Sequence, residues 1–391
     1  MIDRKKGIAA TVSDAINPYR WAIALRNLLF DCNLLKSHSF PIPTICIGNI
    51  TVGGTGKTPH TEYLVELLAP KHRIAVLSRG YGRKSKGYIK ATESTPMPIL
   101  GDEPFQIKNK YPDIDVAVCE KRVVGIKHLL TEEKSPDAIL LDDAFQHRHV
   151  KSGLNILLID SNRPIWQDSV LPFGRMREDV SGIKRADIVI ITKCNGVTPR
   201  QLEWCKNYIK EWKEMPVFFS EMKYGSHYPI FKEAAQADDI TAYDEILLVT
   251  GIAKPAPLRD EIERRGTKVE LMQFEDHHNF TTADFESIAA RFKEMKGAKK
   301  AIITTEKDAT RLLQRSDLPQ IVKENIYALP IKVKIIGEGE EKMFNQIIEN
   351  YVTENSRNSR IPERKDDYST RDCNHSRHRS WQPRQRDNRQ I

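Results

Sequence analysis

The sequence predicts an α/β protein: a P-loop NTPase-like α/β/α sandwich, followed by a second, smaller α/β/α unit. Three observations carry this expectation. Short apolar runs rich in β-branched residues alternate with helical patterns, first between Pro43 and Thr192 and again between Glu245 and Thr305. These runs are continuously apolar, which marks strands buried on both faces, and such strands form mostly parallel sheets covered by helices. The first run enters a glycine-rich stretch, GNITVGGTGKTP (48–59), and a helical pattern follows.

The elements follow in order. Residues 1–40 form an amphipathic N-terminal segment. Trp21, Leu25, Leu28, Leu29, Cys32 and Leu35 fall at helical spacing, Arg20, Arg26, Asn27, Asn33 and Lys36 fill polar positions, and Arg4, Lys5 and Lys6 precede them. Such a stripe suits a protein core as well as a bilayer surface. Residues 41–220 form the first unit, with strands at PTICIG (43–48), RIAVLS (73–78), DVAVC (115–119), DAILLDD (137–143), LNILLID (154–160) and ADIVIIT (186–192). Residues 221–352 form the second, with strands at EILLVTGI (245–252), KVELMQF (268–274) and KKAIITT (299–305). Two extended stretches, VFFSEMKYG (217–225) and IYALPIKVKII (326–336), are expected to pair as a two-stranded connector. From 353 to 391 hardly an apolar residue remains, which predicts a disordered polar tail.

Bulk properties narrow the function class. At 391 residues the chain can build two cores. The tail holds ten Lys or Arg against six Asp or Glu, half of the formal +8, so the body is only mildly basic. Six widely spaced cysteines form neither a C-x-x-C pair nor a zinc pattern, which fits a reduced cytosol. The sequence holds no apolar run long enough to span a bilayer and no signal-peptide pattern, so neither spanning nor export by that route is expected.

A strand that ends in glycines before a helix offers free backbone N–H groups and the positive end of the helix dipole to an anion. Thr51, Val52, Gly53, Gly54, Thr55, Gly56, Lys57 and Thr58 make up this phosphate loop. Lys57 would reach the β and γ phosphates of ATP, and the Thr58 hydroxyl would ligate Mg2+. The pattern is a variant, because Thr51 stands where the strict loop has its first glycine. Asp142 and Asp143, at the end of a strand expected beside the first, are candidates for the metal, directly or through water; such a pair could also cap a helix.

Further motifs follow in order: LSRGYGR (77–83), GDEP (101–104), DDAFQHR (142–148), DHHNF (276–280) and TEKDA (305–309). Together with the loop, this ordered set from Pro18 to Tyr351 resembles the tetraacyldisaccharide 4′-kinase family, the lipid A 4′-kinases of Gram-negative bacteria. The resemblance implies two α/β/α domains with the site in the cleft, and peripheral attachment to the cytoplasmic face of the inner membrane through the N-terminal segment. It also implies transfer of the ATP γ-phosphate to the 4′-hydroxyl of lipid A disaccharide 1-phosphate. Asp102 becomes the candidate base and His277 its partner, with His278 as rival. Tyr81, Arg122, Arg177 and Glu178 match positions that line the substrate, and Gln146 one near the nucleotide. Chemistry asks for such parts independently, since a sugar hydroxyl needs a proton acceptor within hydrogen-bond reach. Thr192-Lys193-Cys194-Asn195 is left without a role, and Glu306 and Lys307 are expected only to organise the second unit.

The nearest rival is a dimeric membrane ATPase switch with a deviant loop, but Val52 occupies the place of that loop's signature lysine. A nucleic-acid module would rest on the tail alone, which lacks a folded recognition motif, so no nucleic-acid partner is expected. No oligomer is required.

Overall fold

The computed structural model describes residues 16–276 and 278–359. Arg4, Lys5 and Lys6, residue 277 and the tail from 360 onward lie outside the described residues.

Every apolar run named above becomes a strand. The large sheet contains β1 (Thr44–Gly48), β2 (Ile74–Ser78), β3 (Ile89–Lys90), β4 (Asp115–Val118), β5 (Ala138–Asp142), β6 (Leu154–Asp160), β7 (Ile188–Thr192) and β8 (Val217–Tyr224). The smaller sheet contains β9 (Tyr228–Pro229), β10 (Glu245–Thr250), β11 (Lys268–Gln273), β12 (Lys300–Thr305) and β13 (Ile326–Leu329), after which β14 (Ile331–Ile336) returns to the first. The nine-stranded order is β14-β8-β7-β6-β1-β5-β2-β4-β3 and the five-stranded order β11-β10-β12-β13-β9. All pairings are parallel except the edges: β3 on β4, β14 on β8 and β9 on β13 run antiparallel.

Alternate residues of each central strand face opposite cores, which is why the runs are apolar throughout. Ile45 and Ile47 join Leu64, Phe105 and Phe344 on one face, while Cys46 joins Ile126, Leu129 and Ile209 on the other. In the small sheet Leu247 and Val249 face Phe285 and Phe292, whereas Ile246 and Leu248 face Leu258 and Ile262. The helices that matter below are α1 (Pro18–Asp31), α2 (Lys57–Leu68), α3 (Asp102–Lys110), α4 (Arg122–Leu130), α5 (Glu306–Leu312) and α6 (Glu340–Ser359).

Three features differ from the sequence reading. The second extended stretch divides, β13 entering the small sheet and β14 pairing with β8 from Ile331↔Tyr224 to Ile336↔Phe219, so β8 and β14 form the edge of the large sheet. Helix α6 packs on the large sheet through Phe344, Ile348 and Val352, although its residues up to 352 fall in the stretch read as the second unit. It also continues to Ser359, past Thr353, because its last turns rest on the body: Ser356 donates to the Asp137 carbonyl at 3.1 Å.

Helix α1 starts at Pro18, with Asn17 as its cap, and turns its polar side to the body. Arg20 pairs with Asp179 at 2.7 Å, Arg26 donates to the Gln146 carbonyl at 3.0 Å and Asn27 to Glu178 at 3.2 Å. Trp21, Leu25 and Leu28 point outward at 65%, 58% and 54% exposure; Phe30 alone of this helix is buried. Among the described residues no helix is long and apolar enough to cross a membrane.

Candidate active site

The phosphate loop leaves β1 at Gly48 and enters α2 at Lys57. Gly56 sits in the left-handed region at φ 89° with no side-chain cap, so the first N–H groups of α2 face outward to an anion. The backbone conformation demands glycine here, and a Cβ at Gly56 would also come within 2.5 Å of Met222 Cε, the movable end of a flexible side chain. The His60 imidazole bonds the Gly56 carbonyl at 2.7 Å and the Ser220 hydroxyl at 3.0 Å. Burial pushes this histidine down to about 4, so it is neutral at physiological pH; Nδ1–H donates to the carbonyl and Nε2 accepts from the hydroxyl.

The rest of the loop is held from two sides. Asn49 donates to Thr55 Oγ1 at 2.8 Å, and Thr192 Oγ1 donates to the Thr55 carbonyl at 2.9 Å. Lys193 donates to the Gly54 carbonyl and pairs with buried Asp160 at 2.8 Å. The TKCN stretch, without a role in the sequence reading, therefore shapes the loop. On the other side Val52 N–H donates to the Arg175 carbonyl at 2.8 Å and Thr51 bridges Met176, tying the loop to the segment that carries Arg177 and Glu178.

The acidic pair ends β5, in register with the end of β1 through Ile47↔Asp142. Asp142 is fully buried and accepts from Ser78 at 3.3 Å and Thr61 at 3.4 Å. Burial, then the Asp143 charge, raises its carboxyl above the usual range. Asp143 has a positive φ of 47°, and its carboxylate meets Lys57 at 3.7 Å and Arg177 at 3.1 Å. Burial pushes this group up, but Lys57 and Arg177 outweigh it and hold it below the usual range. Thr58 lies half-buried in the first turn of α2. Among the described residues no cluster of three or more His, Cys, Asp or Glu side chains is positioned to hold a metal. Asp142, Asp143 and the Thr58 hydroxyl are hard oxygen donors, the type that shares Mg2+ with substrate phosphates rather than caging it.

Asp102 begins α3 after Gly101, whose φ is 90°. A Cβ on Gly101 would lie 2.8 Å from the Tyr81 carbonyl, and one on Gly80 would meet the Leu100 carbonyl at 2.5 Å. The two glycines let the RGYG and GDEP turns pack backbone on backbone, which brings the backbone of Tyr81, 81% exposed, against Gly101, the residue before Asp102. Asp102 Oδ2 accepts from Arg311 of α5, in the other sheet's unit. The next residue, Glu103, has its carboxyl raised to about 7, by desolvation first and the Asp142 charge second, with Lys57 opposing. The start of α3 therefore shares one electrostatic environment with the phosphate loop and the acidic pair.

The remaining candidates fall in different places. Gln146 donates to the Asn49 carbonyl at 2.7 Å and to Glu178 at 3.0 Å, beside Arg177. Glu178 is buried and takes two 2.7 Å bonds from Arg185, so it braces Gln146 and α1 instead of lining open space. Arg122 also faces inward. It donates to the Cys119 and Asp142 carbonyls at 2.6 and 3.1 Å and is pushed down to about 10 by burial, so it organises the ends of β4 and β5. His277 lies outside the described residues. Its rival His278 bonds Asp284 at 2.8 Å and stacks on Phe274, which engages it in the small unit's own packing. Lys307 pairs with Asp276 at 3.2 Å and bears on Glu103, so TEKDA does more than organise its own unit. Glu103, Lys193 and Arg311 escaped the sequence reading. Glu103 stood inside the GDEP motif, whereas Arg311 gave no local signal.

The family model described as tetraacyldisaccharide-1-P 4′-kinase matches residues 15–353. The tetraacyldisaccharide 4′-kinase of Bacteroides thetaiotaomicron is 46% identical over 357 residues, covering 88% of this chain and 94% of the relative. That of Flavobacterium psychrophilum is 42% identical over 347 residues, covering 87% and 96%. A crystal structure of the "apo" form of LpxK from Aquifex aeolicus in complex with ATP aligns with a TM-score of 0.65 at 30% identity, covering 85% of this chain and 96% of that one. With a family match across nearly all the described residues and relatives this similar over most of both lengths, the chain belongs to the tetraacyldisaccharide-1-P 4′-kinase family.

Proposed function

We propose that this chain transfers the γ-phosphate of ATP to the 4′-hydroxyl of a tetraacyldisaccharide 1-phosphate, the lipid A disaccharide 1-phosphate. The observation that carries the reading is the contact of Lys57 with Asp143 at the mouth of the phosphate loop, beside Asp142, in a member of this family. The N–H groups at the start of α2 and the Lys57 ammonium hold the terminal phosphates and offset the charge of the loose transition state. Thr58, Asp142 and Asp143 would hold Mg2+, which supplies neutralisation of the phosphate oxygens. Asp102 accepts the proton of the sugar hydroxyl, with His277 as its partner, and Tyr81 and Arg177 orient the disaccharide. The small unit closes over the larger one and keeps water from the phosphate.

The substrate's acyl chains belong to a membrane, so the enzyme must work at its surface. The outward Trp21, Leu25 and Leu28, with Phe173 also exposed, support peripheral docking of α1 on the cytoplasmic face of the inner membrane. One chain supplies every residue named. The test is purified protein with Mg·ATP and a tetraacylated disaccharide 1-phosphate, read by product mass and position. A gain of one phosphate on the distal sugar is expected; ATP consumption with no lipid product would rule this function out.

A further inference from the structure

We infer that Arg311 is a positioning residue for Asp102, supplied by the small unit to fix the carboxylate of the proposed base. This rests on the phosphotransfer reading above.

The contact joins residues 209 apart, across the two sheets' units. Arg311 is almost wholly buried, at 5% side-chain exposure, while Asp102 keeps 26%. The guanidinium is itself held: its Nη1 donates to Asp308 at 3.2 Å while Nη2 serves Asp102. Asp308 is fully buried and is fixed in turn by Thr305 Oγ1 at 2.8 Å, Gly251 N–H at 3.0 Å and Thr250 Oγ1 at 3.4 Å. Thr250 ends β10 and Thr305 ends β12, so the relay starts from the C-terminal edge of two neighbouring parallel strands, where open α/β sheets place their ligand sites.

Packing alone does not call for this arrangement. Burying a guanidinium between two carboxylates carries a desolvation cost that a well-packed apolar contact would avoid. A planar fork with one end anchored does impose a direction on the carboxylate at its other end, and an ammonium on a flexible stem does not. A separate tie already joins the units, for Lys110 bridges Glu62 at 2.6 Å and Glu306 at 2.9 Å. The Arg311 contact therefore adds orientation where the proton must be accepted.

The test is a double-mutant cycle on lipid phosphorylation, comparing Arg311→Ala, Arg311→Lys, Asp102→Asn and Arg311→Ala/Asp102→Asn, with melting temperature and KM for ATP recorded for each. Arg311→Ala is expected to lower kcat by about 10-fold or more with KM for ATP changed less than about 3-fold, and Arg311→Lys to recover only part of the loss. In the Asp102→Asn background the same change should alter kcat by less than about 2-fold. Equal losses with and without Asp102, or full turnover in a folded Arg311→Ala, would overturn the inference. If Arg311→Ala does not fold, Arg311→Lys carries the same cycle with the same criteria. A parent protein that transfers no phosphate would instead sink the functional reading on which the cycle depends.

Discussion

Asp142 and Asp143 are neighbours in the chain with opposite surroundings: Asp142 is fully buried on the hydroxyls of Ser78 and Thr61, whereas Asp143 faces the cations of Lys57 and Arg177. Desolvation dominates the first and raises its carboxyl; ion pairing wins at the second and lowers it. Asp143→Asn should therefore weaken the ligand-free fold by about 1–2 kcal/mol at pH 7, since two cations lose their partner. A carboxyl held low in the folded state stabilises above its ordinary range and loses that contribution as pH falls through its folded value. The difference from the parent should shrink in strong acid. Denaturant unfolding at pH 7 and pH 3 measures it, and equal differences at both pH values would contradict the pairing.

Lys57 is the cation of the phosphate loop nearest the acidic pair. Lys57→Met should lower kcat by about 100-fold or more, the scale of removing one group that meets developing charge. Affinity for ADP should fall much less, because the missing charge belongs to the terminal phosphate. Steady-state kinetics with calorimetric ADP titration separates the two effects.

Gly56→Ala places a side chain at φ 89° and against Met222. Left-handed backbone alone costs an L-residue about 1–2 kcal/mol, so a lower melting point and weaker nucleotide binding are expected together. Gly54→Ala meets no atom within 4 Å. It should melt close to the parent, and a comparable loss in both variants would show that the loop geometry is misread.

Glu62 is buried beside Lys110 and Glu306, and burial lifts its carboxyl to about 7. The folded protein then binds this proton more tightly than the unfolded chain does, so its contribution is full below about 4.5 and declines as pH rises toward about 7. Glu62→Gln should flatten the stability profile across that window by about 1–3 kcal/mol. Melting temperatures from pH 4.5 to 8 give the comparison; a parallel profile would contradict the shift.

Trp21, Leu25 and Leu28 form the outward side of α1. Replacing all three with Ser should reduce sedimentation with anionic vesicles by at least about 10-fold, because each large apolar side chain removed from water is worth about 1.5–3 kcal/mol. Turnover on a detergent-dispersed substrate should change far less. Unaltered vesicle binding would remove α1 from membrane docking.

Much of the fold was legible because its causes are local. A strand buried on both faces has to be apolar along its centre, and residues 45–47, 138–141 and 246–249 are. The phosphate loop was legible because a backbone that turns through φ near +90° or beyond, as at Gly53 and Gly56, favours glycine.

Partner choice over long separations leaves no such mark, and there the tertiary structure decided. It turned Arg122 inward to carbonyl groups and gave Glu178 to Arg185. It sent β14 and α6 back to the large sheet and joined Arg311 to Asp102. For α1 the periodicity specified two faces without saying which meets protein; the acceptors at Asp179, Gln146 and Glu178 settled that by holding the polar one. Sequence fixes what each residue is able to bond or bury, and only the packed chain determines which of the competing partners arrives within reach.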